Sequence, residues 1–461
     1  MIVLRDYQDE MIANIRTGLT QARRILAQAP TGAGKTAIGS FMVSQTASKG
    51  LRSLFLVHRT ELLRQTAKAF ARQNIEHDTI QAGKGFNPHV KTHVGAIQTV
   101  ANRLDLVPRP DLLIVDEAHH AVSESWSRVI QELNPRFIVG LSATPCRLDG
   151  RGLQEQFDIL VPGPRVADLI SRGFLSPYRI YAPPTTLDFT AIRTTAGDYN
   201  KADLAAAIDK PTITGDAVAH YHKLTPNKRA VVFCTSIAHA EHVRDAFIGS
   251  GYAAATVDGT MKPLDRAAVL AKFETGEIKV LTSCDLVSEG FDLPAIEVAI
   301  SLRPTKSLSL WIQQVGRALR VCEGKTEAVI LDHVGNTMIH GLPDQDREWT
   351  LDAKPRRKSE KGVITTIRQC KSCFTIHAPA PVCPTCGHVY EVTAREIEQV
   401  DGELIEFDKA RAKIELERAR ELARKQTAQA RSREALEALA RERGYKPGWV
   451  DHMLKSRGAR A

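Results

Sequence analysis

The segment Ala29-Pro-Thr-Gly-Ala-Gly-Lys-Thr36 constrains this chain more than any other, because it places a glycine-rich turn directly after the apolar run Ile25–Gln28. Gly32 and Gly34 permit a tight backbone turn, so that successive N–H groups from Thr31 through Ala33 can face phosphate oxygens. Lys35 is placed to neutralise β- and γ-phosphates, and the Thr36 hydroxyl to bind Mg²⁺. A helix starting here adds the positive end of its dipole. The first position is Ala29, where the general pattern has glycine. A chance match in 461 residues is conceivable, but the strand–turn–helix setting argues against one.

A second apolar run, Asp111–Val115, ends at once in Asp116-Glu-Ala-His119. Two carboxylates at the mouth of one strand suit a division of labour: Asp116 holding Mg²⁺, through water, and Glu117 polarising an attacking water. Alone, such a turn is equally an exposed acidic loop. Beside a phosphate loop in the same sheet it reads as the other half of a nucleotide-hydrolysing site.

The surrounding pattern predicts α/β architecture with mostly parallel sheets, whose chemistry sits at the carboxyl ends of the strands. Ile25–Gln28, Leu54–Val57, Val94–Ile97, Leu112–Val115 and Phe137–Gly140 read as strands of a first segment, 1–161. Residues 162–210, broken by GPR, LSP, APPTT and TAGD turns, read as a hinge with accessory elements. A second α/β segment, 211–350, carries strands at Val231–Phe233, Val280–Leu281, Val298–Ser301 and Val329–Leu331, with a helix that Ser236 can cap and Gly249–Gly251 can end. A chain of this length is too long for one ordinary core.

On these motifs the chain resembles a superfamily 2 helicase of the DEAH-box type, across both α/β segments. Arg5-Asp-Tyr-Gln8 resembles the adenine-reading glutamine motif, which implies Arg5 and Gln8 as base contacts. Val57-His-Arg-Thr-Glu61 and Ile97-Gln-Thr-Val-Ala101 resemble strand-end elements that touch the nucleic-acid backbone, which implies roles for His58, Arg59, Gln98 and Thr99, joined by Thr235 and Thr282 in the second segment. Ser142-Ala-Thr-Pro145 resembles the motif coupling hydrolysis to lobe movement; Ser142 and Thr144, with His119 and Gln313, are the implied coupling residues. Ser288-Glu-Gly-Phe-Asp292 resembles the motif facing γ-phosphate and nucleic acid, with Gly290 and Asp292 at the nucleotide. Gln313-Gln-Val-Gly-Arg-Ala-Leu-Arg320 fits the family's QxxGRxxR pattern, which implies that Arg317 and Arg320 enter the cleft as arginine fingers. The resemblance thus implies two tandem RecA-like domains that clamp ATP and Mg²⁺ and move on nucleic acid, with single-stranded DNA or a DNA junction as partner and a protein loading partner also conceivable. By analogy it leans towards DNA-repair and restriction-type motors. A duplex DNA translocase subunit of a restriction or remodelling assembly, an RNA helicase and an ATP-switched clamp remain alternatives.

After a basic linker, 351–369, Cys370-Lys-Ser-Cys373 and Cys383-Pro-Thr-Cys386 form paired CxxC knuckles within 370–390. Four thiolates at this spacing suit a closed, structural tetrahedral Zn²⁺ site, and a span this short buries too little core to fold without metal. The other cysteines, Cys146, Cys234, Cys284 and Cys322, sit singly in or beside apolar stretches, as small core residues do. The remaining residues, 391–461, predict a basic helical tail: from Ile405 onward there are 15 basic and 9 acidic residues, which accounts for most of the net +9. Such a tail suits a polyanion, and equally a solvated helix of mixed charge. Gly444-Tyr-Lys-Pro-Gly-Trp-Val450 resembles a tail of phage and prophage helicase-like proteins; Tyr445 and Trp449 suit either base stacking or a small aromatic contact. With no long apolar run and no signal-peptide pattern, no membrane partner and a cytoplasmic location are expected.

Overall fold

In the computed structural model, apolar runs become strands and the stretches between them become helices. The structure describes residues 3–121, 124–145, 152–182, 192–195, 198–200, 203–204, 211–284, 296–352, 367–370 and 372–390, with positions 433, 436–437 and 450. Residues Met1–Tyr390 form one compact unit. The second unit, Glu391–Ala461, lies almost wholly outside the described residues, and the helix expected of it lies there too.

The first lobe runs α1 (Asp6–Gln21), β1 (Arg24–Gln28), α2 (Lys35–Ser48), β2 (Ser53–Val57), α3 (Thr60–Arg72), β3 (Asp78–Ile80), β4 (Thr92–Ala96), α4 (Ile97–Ala101), β5 (Leu112–Asp116), α5 (Glu124–Leu133), β6 (Phe137–Ser142) and β7 (Ile159–Val161). Among the described residues its sheet is parallel throughout, in the order β3-β4-β2-β5-β6-β1-β7. Both faces are apolar. Ile25, Phe55, Val94, Ile114 and Val139 pack on one side, while Leu26, Leu54, Leu56, Leu113 and Ile138 pack on the other. That period-two division is why these strands read as unbroken apolar runs. The run Val94–Ile97 is strand only to Ala96, since Ile97 already begins α4.

The second lobe follows as α6 (Val166–Ser171), β8 (Tyr178–Tyr181), the hairpin β9 (Thr194–Thr195) and β10 (Asp198–Tyr199), α7 (Pro211–Leu224), β11 (Ala230–Cys234), α8 (Ile237–Gly249), β12 (Ala254–Val257), α9 (Pro263–Glu274), β13 (Val280–Cys284), β14 (Val298–Ser301), α10 (Leu308–Ala318), β15 (Ala328–Asp332), α11 (Asn336–His340), β16 (Arg368–Gln369) and β17 (Thr375–His377). The Ser236 hydroxyl caps α8 by accepting from His239 N at 3.0 Å, and Gly251 closes its end with φ 85°. The sheet order is β12-β13-β11-β14-β15-β8-β17-β16.

Three of these strands, β8, β16 and β17, come from segments expected to lie outside the sheet. Tyr178–Tyr181, in the stretch read as a hinge, pairs in parallel with β15. Thr375–His377, inside the cysteine module, then adds antiparallel to β8, and Gln369 Nε2 donates to Ala182 O at 2.5 Å. The cysteine module is therefore an extension of the second sheet. Ile376 and Ile180 share one core with Trp311 and Val315 of α10. Truncating Ile376 to Ala should lower the stability of the main unfolding transition by about 2–5 kcal/mol. Thermal unfolding of the full chain checks this; an unshifted main transition would mean the module unfolds on its own.

Candidate nucleotide site at the seam of the two lobes

The phosphate loop is seated from several directions. Leaving β1, Ala29 N donates to Ser142 O at the end of β6, at 2.8 Å. Gly32 (φ 89°) and Gly34 (φ 82°) both take the left-handed region, which side-chain-bearing residues avoid. Gln8 Nε2 and the Tyr7 hydroxyl donate to Ala33 O at 2.9 and 3.1 Å, while Arg5 N donates to Gln8 Oε1 at 3.0 Å. A Cβ at Gly34 would stand 2.5 Å from Gln8 Nε2. In this structure Gln8 thus holds the loop itself, a bond between residues far apart in sequence.

Opposite the loop stand the acids that end β5. Lys35 Nζ lies 2.8 Å from Glu117 Oε1 in a largely buried ion pair. Glu117 takes a left-handed backbone at φ 49°, an uncommon and costly conformation for a residue with a side chain. Burial, and then the charge of Glu117, raise the Asp116 carboxyl to about 6 against the opposing pull of Lys35. His119 Nδ1 is 3.4 Å from Glu117 Oε2 and 3.2 Å from Ser142 Oγ. Ser142 Oγ donates to Thr144 O at 3.0 Å, and Thr144 Oγ1 is 2.6 Å from Ser309 Oγ of α10. A polar chain therefore runs from the carboxylate into the other lobe. Thr36, the second residue of α2, is exposed at the loop's end.

The second lobe meets this loop through α10. A Cβ on Gly316 would sit 2.6 Å from Thr31 Cβ, and one on Gly32 would sit 2.8 Å from Leu175 Cδ2 and 3.6 Å from Arg320 Cγ. Gln313 and Arg317 are buried on the same helix, and Arg320 follows two residues past its end. Tyr7 and Ala33 belong to the same apolar core as Leu175, Val315 and Ala318. Phe174 stacks edge-on with Tyr7 at 4.9 Å, flanked by the guanidiniums of Arg5 at 5.1 Å and Arg172 at 5.0 Å. On another part of the seam, Arg266 Nη2 of α9 meets Glu61 Oε1 of α3 at 2.5 Å.

Other expected site residues spread over both lobes. The His58 and His120 rings lie 4.8 Å apart, Arg59 takes the position just before α3, and Gln98 and Thr99 lie on α4. Thr235 Oγ1 bonds His239 Nδ1 at 2.9 Å. Thr282 lies within β13, a strand buried on both faces, with its hydroxyl 2.8 Å from Thr256 Oγ1. Gly290, Asp292 and Cys146 lie outside the described residues. Sequence reasoning missed Tyr7, Leu175, Phe174, Ser309 and Arg266 as site residues. Of these only Tyr7 had a signal, inside the motif Arg5-Asp-Tyr-Gln8, as Gly316 had one inside the arginine-bearing motif.

The four clustered cysteines are unbonded, with Cys370 Sγ 3.6 Å from Cys386 Sγ and Cys373 Sγ 3.7 Å from Cys383 Sγ. All four sulfurs lie within 4.8 Å of one another. A tetrahedron with Zn–S near ~2.3 Å has edges of about 3.8 Å, so the donor set fits zinc in kind and spacing. Gly387 (φ 72°) and Phe374 (φ 59°) make the turns, and Ser372 N donates to Cys370 Sγ at 3.4 Å. Burial would raise the Cys370 thiol, but the Cys373 and Ser372 amides and the neighbouring groups outweigh it and lower it to about 6.

Residues 1–147 match the family model described as the type III restriction enzyme res subunit, and 214–322 match the helicase conserved C-terminal domain. The chain is 32% identical over 393 residues to a 51.5 kDa protein of a Lactococcus phage, covering 84% of this chain and 83% of that one. It is 30% identical to the Saccharomyces cerevisiae protein named as ATP-dependent helicase IRC3, over 73% of this chain but only 52% of that protein. A fragment of a type I restriction enzyme HsdR subunit from Vibrio vulnificus shares the fold, with TM-score 0.59, 24% identity, and coverage of 77% of this chain and 67% of that one. The chain belongs to the superfamily 2 helicases, of the restriction and repair type. This helicase is accordingly an ATP-hydrolysing enzyme built on two parallel-sheet lobes. Among its described residues no helix is long and apolar enough to cross a membrane.

The helicase's seam leaves no room for a methyl group at Gly316. Gly316→Ala should strain the closed state by about 1–3 kcal/mol and slow ATP turnover by roughly tenfold, with nucleotide binding to the first lobe largely kept. Steady-state hydrolysis alongside binding of a fluorescent nucleotide reads both; undiminished turnover would mean that this closed seam is not the hydrolysing state.

Proposed function

We propose that the chain is a DNA-dependent ATPase that translocates on single-stranded DNA or a DNA junction and separates strands, hydrolysing ATP only when its lobes close. The observation that carries this reading is the approach of Gly316 to Thr31, which sets the helix bearing Arg317 beside the phosphate loop of the other lobe, with Arg320 Cγ 3.6 Å from the place of a Cβ on Gly32. The loop from Thr31 to Thr36 cradles the phosphates, and Lys35 neutralises them. Glu117 orients the attacking water, and the two arginines stabilise charge developing on the transferring phosphoryl group. Arg5 and Gln8, held beside the loop at Ala33, are the proposed base contacts. Thr36 and Asp116 hold Mg²⁺, which, when bound, draws negative charge from the β- and γ-phosphates.

Glu117 and Lys35 are paired at rest. One ammonium cannot fully serve both a carboxylate and a triphosphate, so entry of ATP loosens the pair and frees Glu117 for water. His119, Ser142, Thr144 and Ser309 then link that carboxylate to α10, the route by which hydrolysis and lobe movement are coupled. His58, Arg59, Gln98, Thr99 and Thr235 are the proposed backbone contacts, at or just past the carboxyl ends of the strands. The names of the relatives favour DNA, since restriction enzymes act on it. A duplex translocase serving a restriction assembly is the second reading, favoured by the HsdR likeness of the fold.

ATP hydrolysis measured without nucleic acid, then with single-stranded DNA, duplex DNA or RNA, tests the reading, with Glu117→Gln as the blank. Strong stimulation by single strands and turnover in Glu117→Gln lower by about a hundredfold or more are expected. Stimulation by duplex alone would favour the second reading, and stimulation by RNA alone would overturn the choice of DNA.

The cysteine cluster is proposed to hold one structural Zn²⁺ through Cys370, Cys373, Cys383 and Cys386. Metal analysis of the purified chain should find about one zinc per molecule. Cys383→Ser should lose it and destabilise the β17 edge, while a metal-free, fully folded parent would end the assignment.

A further inference from the structure

The helix α10 and the residues after it carry Arg317 and Arg320, yet a helix C-terminus leaves carbonyls without helical partners. Here one side chain collects them. Lys325 Nζ donates to Arg320 O and to Ile296 O, each at 2.8 Å, and also to Ala318 O. An ammonium has three donors and no acceptor, so three carbonyls saturate it. A cation at this end also suits the helix dipole. Ile296 leads directly into β14, so the same ammonium ties the end of α10 to the foot of the sheet.

The other side of this segment is held as well. Ser176 N donates to Leu319 O at 2.8 Å, and Leu175 forms a bridge with Arg320. Leu175 is also the residue that crowds Gly32. The main chain at Arg320 is therefore gripped between the phosphate-loop side, through Leu175 and Ser176, and the sheet side, through Lys325.

We propose that Lys325 is a positioning residue for Arg320, its ammonium fixing the main chain of Ala318–Arg320 so that the Arg320 guanidinium stays in register with the phosphate loop. The proposal rests on the reading of Arg317 and Arg320 as fingers. Registration matters because a displacement of about 1 Å can cost a reaction about a hundredfold. The charged and titratable groups facing Lys325 are Cys322, Glu297, Arg229 and Lys228; Arg229 N donates to Glu297 Oε2 at 3.0 Å. Burial pushes the Lys325 ammonium down to about 8, with Cys322 and Glu297 opposing and Arg229 and Lys228 reinforcing. Its proton, and with it the threefold grip, is thus given up as pH rises above about 8.

The full chain, Lys325→Met, Lys325→Arg, Arg320→Ala and the double variant Lys325→Met/Arg320→Ala are compared for nucleotide affinity and for turnover at saturating ATP and DNA, from about pH 6.5 to 9.5. Lys325→Met should bind nucleotide within about twofold of the parent and turn over about tenfold more slowly. The double variant should be no slower than Arg320→Ala. The parent should lose turnover above about pH 8, and Lys325→Arg, which keeps its charge, should lose less. Parental turnover in Lys325→Met, multiplicative losses in the double variant, or a flat alkaline profile in the parent would overturn the proposal. If Lys325→Met fails to fold, Lys325→Arg and the parent's pH profile still decide. Full turnover in Arg320→Ala would instead remove the finger reading, a result distinct from failure of Lys325 alone.

Discussion

The arrangement of this molecule depends on the close approach of Gly316 to Thr31, where a helix of one lobe touches the phosphate loop of the other with no side chain between. The first sheet has an apolar core on each face, and the second has one core of its own and one that it shares with Tyr7 and Ala33. The seam joins Tyr7 and Ala33 to the second lobe's core, stacks Tyr7 on Phe174, and adds the Thr144–Ser309 contact and the Glu61–Arg266 ion pair. The seam thus mixes apolar packing with polar pairs, and at Gly316 it depends on a missing methyl. For an enzyme whose arginines sit on the far lobe, closing this seam makes ligand occupancy and catalysis a single event.

The loop itself shows the same economy. In this structure the loop is held by its own bonds: Lys35 is paired with Glu117, and Ala33 O accepts from both Gln8 and Tyr7. These bonds keep a glycine-rich loop, entropically costly to order, in one shape. They also make Gln8 part of the loop's support rather than only a reader of a base. A change at Gln8 would therefore alter the phosphate cradle as well as any base contact.

What could be read from sequence was chemistry carried by adjacent residues. The glycine–lysine–threonine loop, the paired acids after β5, the arginine-bearing stretch after Gln313 and the paired cysteine knuckles each declare themselves within a few positions. Partnerships made across the chain did not. Nothing in Tyr178–Tyr181, set among prolines and turns, marks it as an inner strand, because its place is decided by β15 and β17, distant in sequence. Asp78–Ile80 and Ile159–Val161 are too short to show a period. Arg266 and Ser309 carry no local pattern, and only the folded seam makes them partners.

The cysteine module shows how far such long-range pairing reaches. A short four-thiolate ribbon usually stands alone, stabilised by its metal. Here its β17 is hydrogen-bonded to β8, and β8 follows directly from Leu175 and Ser176, the residues that hold Arg320 in place. The path from the thiolates to the arginine is one sheet edge and a turn of a few residues, with Ile376 packed in the same core as α10. A module placed this way contributes to the seam through rigidity. It needs no contact with nucleotide or nucleic acid to do so, because a strand anchored at its edge moves less, and the residues that extend from it are held in turn.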